Sequence, residues 1–153
     1  MAARIRPIAY GDLAAASRVV RDGSLTPQYE HEEHVDAYWA AVVETRARLG
    51  DVIVADLDGE VVGFCQVLVL PHFQHTGGWC CELESVHVRE DQRGRGVGAM
   101  LLDAAEAIAR SRGCYRMQLT SRHVREDAHR FYRRQGYEAT SQGFKKTLDV
   151  DLA

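Results

Sequence analysis

Apolar and polar positions along the chain follow two periods, and each change of period marks a change of element. Residues 3–9, "ARIRPIA", alternate like a first strand, and Asp12 stands where it can cap a short helix that ends near Gly23. A loop containing Pro27 follows. Val35, Tyr38, Trp39, Val42, Arg46 and Leu49 then recur at three- and four-residue steps, a helical stripe with the Arg46 stem at its edge and Gly50 as its stop. "DVIVADL" and "EVVGFCQVLVL" are β-rich runs joined by Asp58-Gly59, a dipeptide suited to the positive backbone dihedrals of a two-residue hairpin, so they are expected to pair antiparallel. Pro71 ends the second run, "HFQHTGG" reads as a loop, and "WCCELESVHV" returns as a long strand. From Val97 to Arg112 the apolar positions Val97, Met100, Leu101, Ala104, Ala105 and Ile108 predict a helix buried on one face, with Gly113 as its stop. "CYRMQLTS" predicts a strand, "EDAHRFYRRQG" a second glycine-stopped helix, and "YEATS" with "FKKTLDV" a final antiparallel pair. The plan is an α/β domain with a mixed, mostly antiparallel sheet of about seven strands and about four helices.

Composition narrows the class. With 153 residues and 46% hydrophobic content, the chain suits one domain with one core, taken as residues 1–153. The formal charge of -3 is spread along the chain without a dense basic block, so no nucleic-acid partner is expected. The N-terminus "MAARIRPIAYGD" lacks a signal-peptide core, and no apolar run approaches the ~20 residues of a membrane span. A cytoplasmic protein without a membrane partner is the expectation. Cys65, Cys80, Cys81 and Cys114 have neither CxxC spacing nor secretory context and read as reduced packing residues. His72 and His75 in "PHFQH" read as exposed or substrate-contacting loop residues, and no metal is assigned.

The chemistry concentrates in "RGRGVG", Arg93 to Gly98, between a strand-like and a helix-like run. That context puts backbone N–H groups at a helix N-terminus, where they lack intrahelical partners and the macrodipole is positive. Glycines at 94, 96 and 98 let phosphate oxygens approach the main chain, and Arg93 and Arg95 add charge at the rim, so a diphosphate is the expected guest. A P-loop would need Lys followed by Ser or Thr after the last glycine, where Ala99-Met100 stands. Gly94, Gly96 and Ala99 fit the loose dinucleotide pattern, but that fingerprint follows the first strand of a parallel βαβ unit, and here an antiparallel hairpin and a long strand come first.

The spacing Arg93-x-x-Gly96-x-Gly98, together with "DAHRFYRRQGY" some thirty residues on, resembles the GNAT superfamily of acyl-CoA-dependent N-acetyltransferases. The element order resembles that fold over nearly the whole chain. The resemblance implies acetyl-CoA as cosubstrate, held through its pyrophosphate by the amides of Arg93, Gly94, Arg95, Gly96, Val97, Gly98 and Ala99. It implies backbone contacts to the pantetheine arm from Val86, His87 and Val88, and a tyrosine near the thioester sulfur, matched by Tyr132 of the Phe131-Tyr132 pair. The helix-start position that is often Asn in the family is Arg125 here, a departure at a usual coenzyme contact. Homodimers are frequent in the family, which makes a dimer a compatible assembly.

Acetyl transfer to an amine needs a neutral nucleophile, a stabilised oxyanion and a proton for the departing thiolate. Glu82 and Glu84 share one strand face by the two-residue period, and either can draw the amine proton. Glu84 is favoured because "LES" stands where the family often has an acidic residue. A backbone N–H of "ESVHV" is the oxyanion donor, and Tyr132 is the candidate acid and a coenzyme neighbour. Cys114 has no neighbouring base and is rejected as a covalent nucleophile. The segments expected to wall the acceptor are "LTPQYEHEEH" and "PHFQHTGG"; an anionic acceptor would call on Arg122, His123 or Arg125. The C-terminal part looks closest to aminoalkylphosphonate and similar small-molecule acetyltransferases, so the expected acceptor is a primary amine of a small molecule. Two alternatives share the fold: a non-catalytic acyl-CoA sensor, which would not need Glu84 and Tyr132, and a protein N-acetyltransferase.

Overall fold

The computed structural model of the chain describes residues 2–151. One compact unit runs to Gln118 and a second begins at Leu119. The first contains β1 (Arg4–Pro7), α1 (Leu13–Gly23), α2 (Val35–Ala47), β2 (Asp51–Leu57), β3 (Glu60–Pro71), α3 (Gln74–Gly77), β4 (Trp79–Val88), α4 (Val97–Ser111) and β5 (Cys114–Gln118). The second contains α5 (Glu126–Arg134).

The sheet has the order β1-β2-β3-β4-β5, antiparallel through β4 and parallel between β4 and β5. Asp58 (φ 53°) and Gly59 (φ 90°) turn β2 into β3, the positive dihedrals expected of that dipeptide. Because strand side chains alternate, β2 serves two faces. Val52 and Val54 point into a cluster with Leu13, Ala16 and Val19 of α1 and Val42 of α2. Ala55 lies on the other face, level with Gly63, whose Cα is packed closely by Leu101 and Val97 of α4. The sheet is thus covered by α1 and α2 on one side and by α4 on the other. Of the expected α4 stripe, Val97, Leu101 and Ala105 are buried and Met100, Ala104 and Ile108 are half-buried, while Leu102 and Ala109, outside that stripe, are buried as well.

Several expectations are corrected. The sheet of the described residues has five strands where the sequence pattern suggested about seven. "YEATS" and "FKKTLDV" form no strand: Phe144 is 89% exposed and Leu148 is 70% exposed, so the alternation covers no apolar surface and nothing offsets the entropy of ordering the chain. Five α-helical segments replace about four, the extra one being the short turn α3, in which His75 and Thr76 are left-handed. Asp12 stands at the N-cap of α1 without capping it; its carboxylate instead accepts from the Ala9 N–H at 2.8 Å and pairs with Arg6 at 2.7 Å. α2 ends at Ala47, and the left-handed residue after it is Leu49 (φ 72°) rather than Gly50. Arg46 does more than flank the stripe: its guanidinium donates to Asp51 at 2.8 Å and to the Ile8 carbonyl at 2.7 Å.

Candidate functional site

The site begins with a mismatch of strand lengths. β5 runs beside β4 only from Trp79 to Glu82, whose partner Gln118 is the last residue of β5, whereas β4 continues to Val88. From Leu83 to Val88 the β4 backbone therefore has a ladder partner in β3 but none in β5. An unpaired strand edge is a row of N–H and C=O groups open to an extended ligand.

Within that stretch lies a β-bulge. Gln66 stands opposite Glu84 and Phe64 opposite His87, so two residues of β4, Ser85 and Val86, face one of β3. Ser85 takes a left-handed conformation (φ 55°) to achieve this. The extra residue shifts the alternation: Glu82, Glu84 and His87 all lie on the α1–α2 face, although strict period 2 would send His87 to the α4 face. There His87 is only 8% exposed, and the end of α1 closes on it. A Cβ added to Gly23 would come within 2.4 Å of the His87 Nδ1, so only glycine permits this approach.

The two glutamates share a face, as their spacing predicted, but not a setting. Glu82 accepts a hydrogen bond from Gln118 Nε2 at 2.7 Å, while Glu84 is exposed. The thiols nearby are poor nucleophiles. Burial pushes Cys65 and Cys81 up to about 12 and also raises Cys114, which keeps them protonated at neutral pH.

β4 leads directly into the glycine loop. Arg89 is occupied by Asp91 at 2.7 Å and Glu60 at 3.1 Å, and its hydrogen bonding to Asp91 holds that carboxyl below its ordinary range. Arg93 turns its Nε to the Val88 carbonyl at 3.0 Å, tying the loop to the strand end, and Arg95 is exposed. Gly94 (φ 73°) and Gly96 (φ 82°) are left-handed, with open space where a Cβ would stand. Gly96 is the N-cap of α4; the Met100 N–H donates to its carbonyl at 3.1 Å, so the amides of Val97, Gly98 and Ala99 have no intrahelical acceptor. The first turn of α4 carries no acidic residue. Free amides, the positive helix end, two arginines and glycine clearance suit a diphosphate. A cleft of about 590 Å³ opens beside the loop, lined by Val19, Asp22 and Gly23 of α1 and by Val88, Arg89, Glu90, Asp91 and Arg93, so acidic as well as basic side chains border it.

In the second unit Tyr132 lies on α5, its ring 5.3 Å from Phe131 and 5.9 Å from Tyr137 in an edge-on contact. The Tyr137 N–H donates to the Tyr132 carbonyl at 3.0 Å as the chain folds back through Gly136 (φ 91°). Arg125 is the N-cap of α5 and makes no side-chain capping bond; His129 Nε2 reaches the Arg122 carbonyl at 2.8 Å.

Val86, His87 and Val88 form the end of β4, and Arg93 to Ala99 form the turn into α4 and its first residues. Sequence reasoning missed the bulge, because Ser has no special preference for positive φ, and the contact of Gly23 with His87, because a glycine after a helical stripe reads first as a stop.

The profile of the Acetyltransferase (GNAT) family matches residues 18–137. The chain is 37% identical over 91 residues to an aminoalkylphosphonate N-acetyltransferase of Salmonella typhimurium, covering 60% of this chain and 58% of that relative's length. It is 33% identical to an L-methionine sulfoximine/L-methionine sulfone acetyltransferase of Pseudomonas aeruginosa, over 93% of this chain and 84% of the relative. Among solved structures, one described as a transcriptional regulator from Bacillus halodurans superposes with a TM-score of 0.87 at 32% identity, over 95% of this chain and 99% of the other.

Proposed function

The chain belongs to the GNAT acetyltransferase family, and on that premise we propose that residues 1–153 act as one N-acetyltransferase domain that acetylates the primary amine of a small molecule by direct attack on the thioester. Membership makes the protein an acyltransferase with acetyl-CoA as its donor. The observation that carries the reading is continuity: the stretch of β4 that has no ladder partner in β5 runs without a break into the amides at the start of α4.

Acetyl-CoA, when bound, supplies the acetyl group as an activated thioester. The amides from Arg93 to Ala99 hold its diphosphate, with charge from Arg93 and Arg95. The backbone of Val86, His87 and Val88 aligns the pantetheine arm as an added strand, and a β4 N–H donates to the developing oxyanion. Arg125 is the coenzyme contact at the start of α5. Glu84 takes the proton from the attacking amine; the new C–N bond forms first, the carbonyl electron pair moving onto the oxygen, and as the C=O bond re-forms the C–S bond breaks and Tyr132 delivers a proton to the departing sulfur. Glu84 fits the base better than Glu82, because it is exposed whereas Glu82 is half-buried. The relatives' names supply the acceptor class, small molecules bearing an amine.

The test is thiol release from acetyl-CoA with 2-aminoethylphosphonate, L-methionine sulfoximine and n-butylamine. Turnover of at least one is expected; acetyl-CoA binding without thiol release from any would overturn the reading. Glu84→Gln is expected to lower turnover most at low pH, where the amine is protonated, and to regain part of the rate as pH rises. A pH–rate profile superimposable on that of the unmodified protein would remove Glu84 from the mechanism.

A further inference from the structure

We propose that Gln66 recognises the acceptor amine, its side-chain carbonyl oxygen accepting an N–H while the neighbouring Glu84 takes the proton. The inference rests on the reaction proposed above and adds a specificity residue to it. Gln66 stands on β3 directly opposite Glu84 and on the same face of the sheet. Side chains so paired have Cβ atoms about 5 Å apart. The position is a boundary: Phe64, two residues earlier on the same face, packs against the α1–α2 cluster, while Glu84 across the strand pair is exposed and Gln66 is half-buried.

The orientation of the amide follows from hydrogen-bond bookkeeping. The Thr45 hydroxyl, on α2, donates to the Ala41 carbonyl at 2.7 Å, and its one proton is then spent. At 3.0 Å from Gln66 Nε2 that hydroxyl can only accept, so Gln66 must present its NH2 group to Thr45. The amide oxygen is thereby the end of the group that does not meet Thr45. It accepts no bond from a described residue, and because no enclosed side-chain N or O atom of the described residues lacks a partner, the oxygen is open to solvent. A pure acceptor held in one orientation beside a carboxylate suits a primary amine, which brings two or three N–H donors. It suits a hydroxyl less well, since the single O–H proton can satisfy only one of the two oxygens. Thr45 is 4% exposed and acts as the positioning residue for Gln66.

The experiment compares Gln66→Met, Thr45→Val and Glu84→Gln by thiol release, with 2-aminoethylphosphonate and n-butylamine as acceptors. Acetyl-CoA affinity, measured by calorimetry, reports whether each variant is folded. Gln66→Met keeps the length of the side chain and removes both amide groups. It is expected to raise the amine KM roughly tenfold to a hundredfold, leaving kcat and acetyl-CoA affinity within about twofold, because a bond made equally in ground and transition states is lost. Thr45→Val is expected to shift the amine KM in the same direction by less. An unchanged amine KM in a Gln66→Met protein that binds acetyl-CoA normally overturns the assignment. So does a joint loss of acetyl-CoA affinity and amine binding, which marks Gln66 as structural. If Glu84→Gln is inert while Gln66→Met raises the amine KM, the base is wrong and the recognition role stands; the reverse pattern retains the base and removes Gln66.

Discussion

Replacing Tyr132 by Phe removes one oxygen and keeps the ring that meets Phe131 and Tyr137. If the phenol protonates the departing sulfur, the interaction exists mainly in the transition state. Tyr132→Phe is then expected to lower kcat and kcat/KM together by ~10²- to 10⁴-fold with KM nearly constant. Single-turnover kinetics with the best acceptor is the measurement, and wild-type turnover would leave Tyr132 as a packing residue. At this scale the sequence carried Tyr132 and the glutamate pair, because a motif and a two-residue spacing are local. It did not show the bond from Gln118 to Glu82, because the two residues are 36 positions apart. The same holds for Gln66, an unremarkable strand residue until pairing sets it opposite Glu84.

The glycine loop is a test of one element. Gly96 and Gly59 are both left-handed, at φ 82° and φ 90°, and both have open space where a Cβ would stand. An alanine at either costs about 1–2 kcal/mol of backbone strain. Only Gly96 stands at the start of α4, where, on the proposed coenzyme binding, the added methyl would meet a phosphate. Gly96→Ala is therefore expected to weaken acetyl-CoA binding at least tenfold, and Gly59→Ala to leave it unchanged at a similar loss of thermal stability. Calorimetry on the pair checks this; equal affinities would move the diphosphate away from the loop. Strand β4 and helix α4 stand where their periodicity put them, because ten and fifteen residues give a pattern room to repeat. The segments after Tyr137 are shorter and more polar, and their alternation alone did not make them strands.

Across the first unit, Arg6 joins β1 to both Asp12 and Asp56, at 2.7 Å and 2.9 Å. The Arg6 hydrogen bonds hold both carboxyls below their ordinary range, against a smaller opposing effect of burial. A carboxyl depressed on folding adds stability above its unfolded value of about 4, and that stability is lost as pH falls through the folded value. The urea midpoint is expected to drop as pH falls below about 4. Arg6→Met should be less stable at pH 7 and lose less on acidification, so that the two curves converge; parallel curves would show that the pairs contribute nothing. What the sequence determined by itself was the succession of elements, the Asp58-Gly59 hairpin and the glycine loop before α4, because each depends on residues within a turn or two of one another. Only the tertiary structure decided where β5 stops beside β4, that Ser85 bulges and carries His87 under Gly23, and that Gln66 faces Glu84. Register, strand length and close approach are set by contacts between distant segments, and no local pattern encodes them.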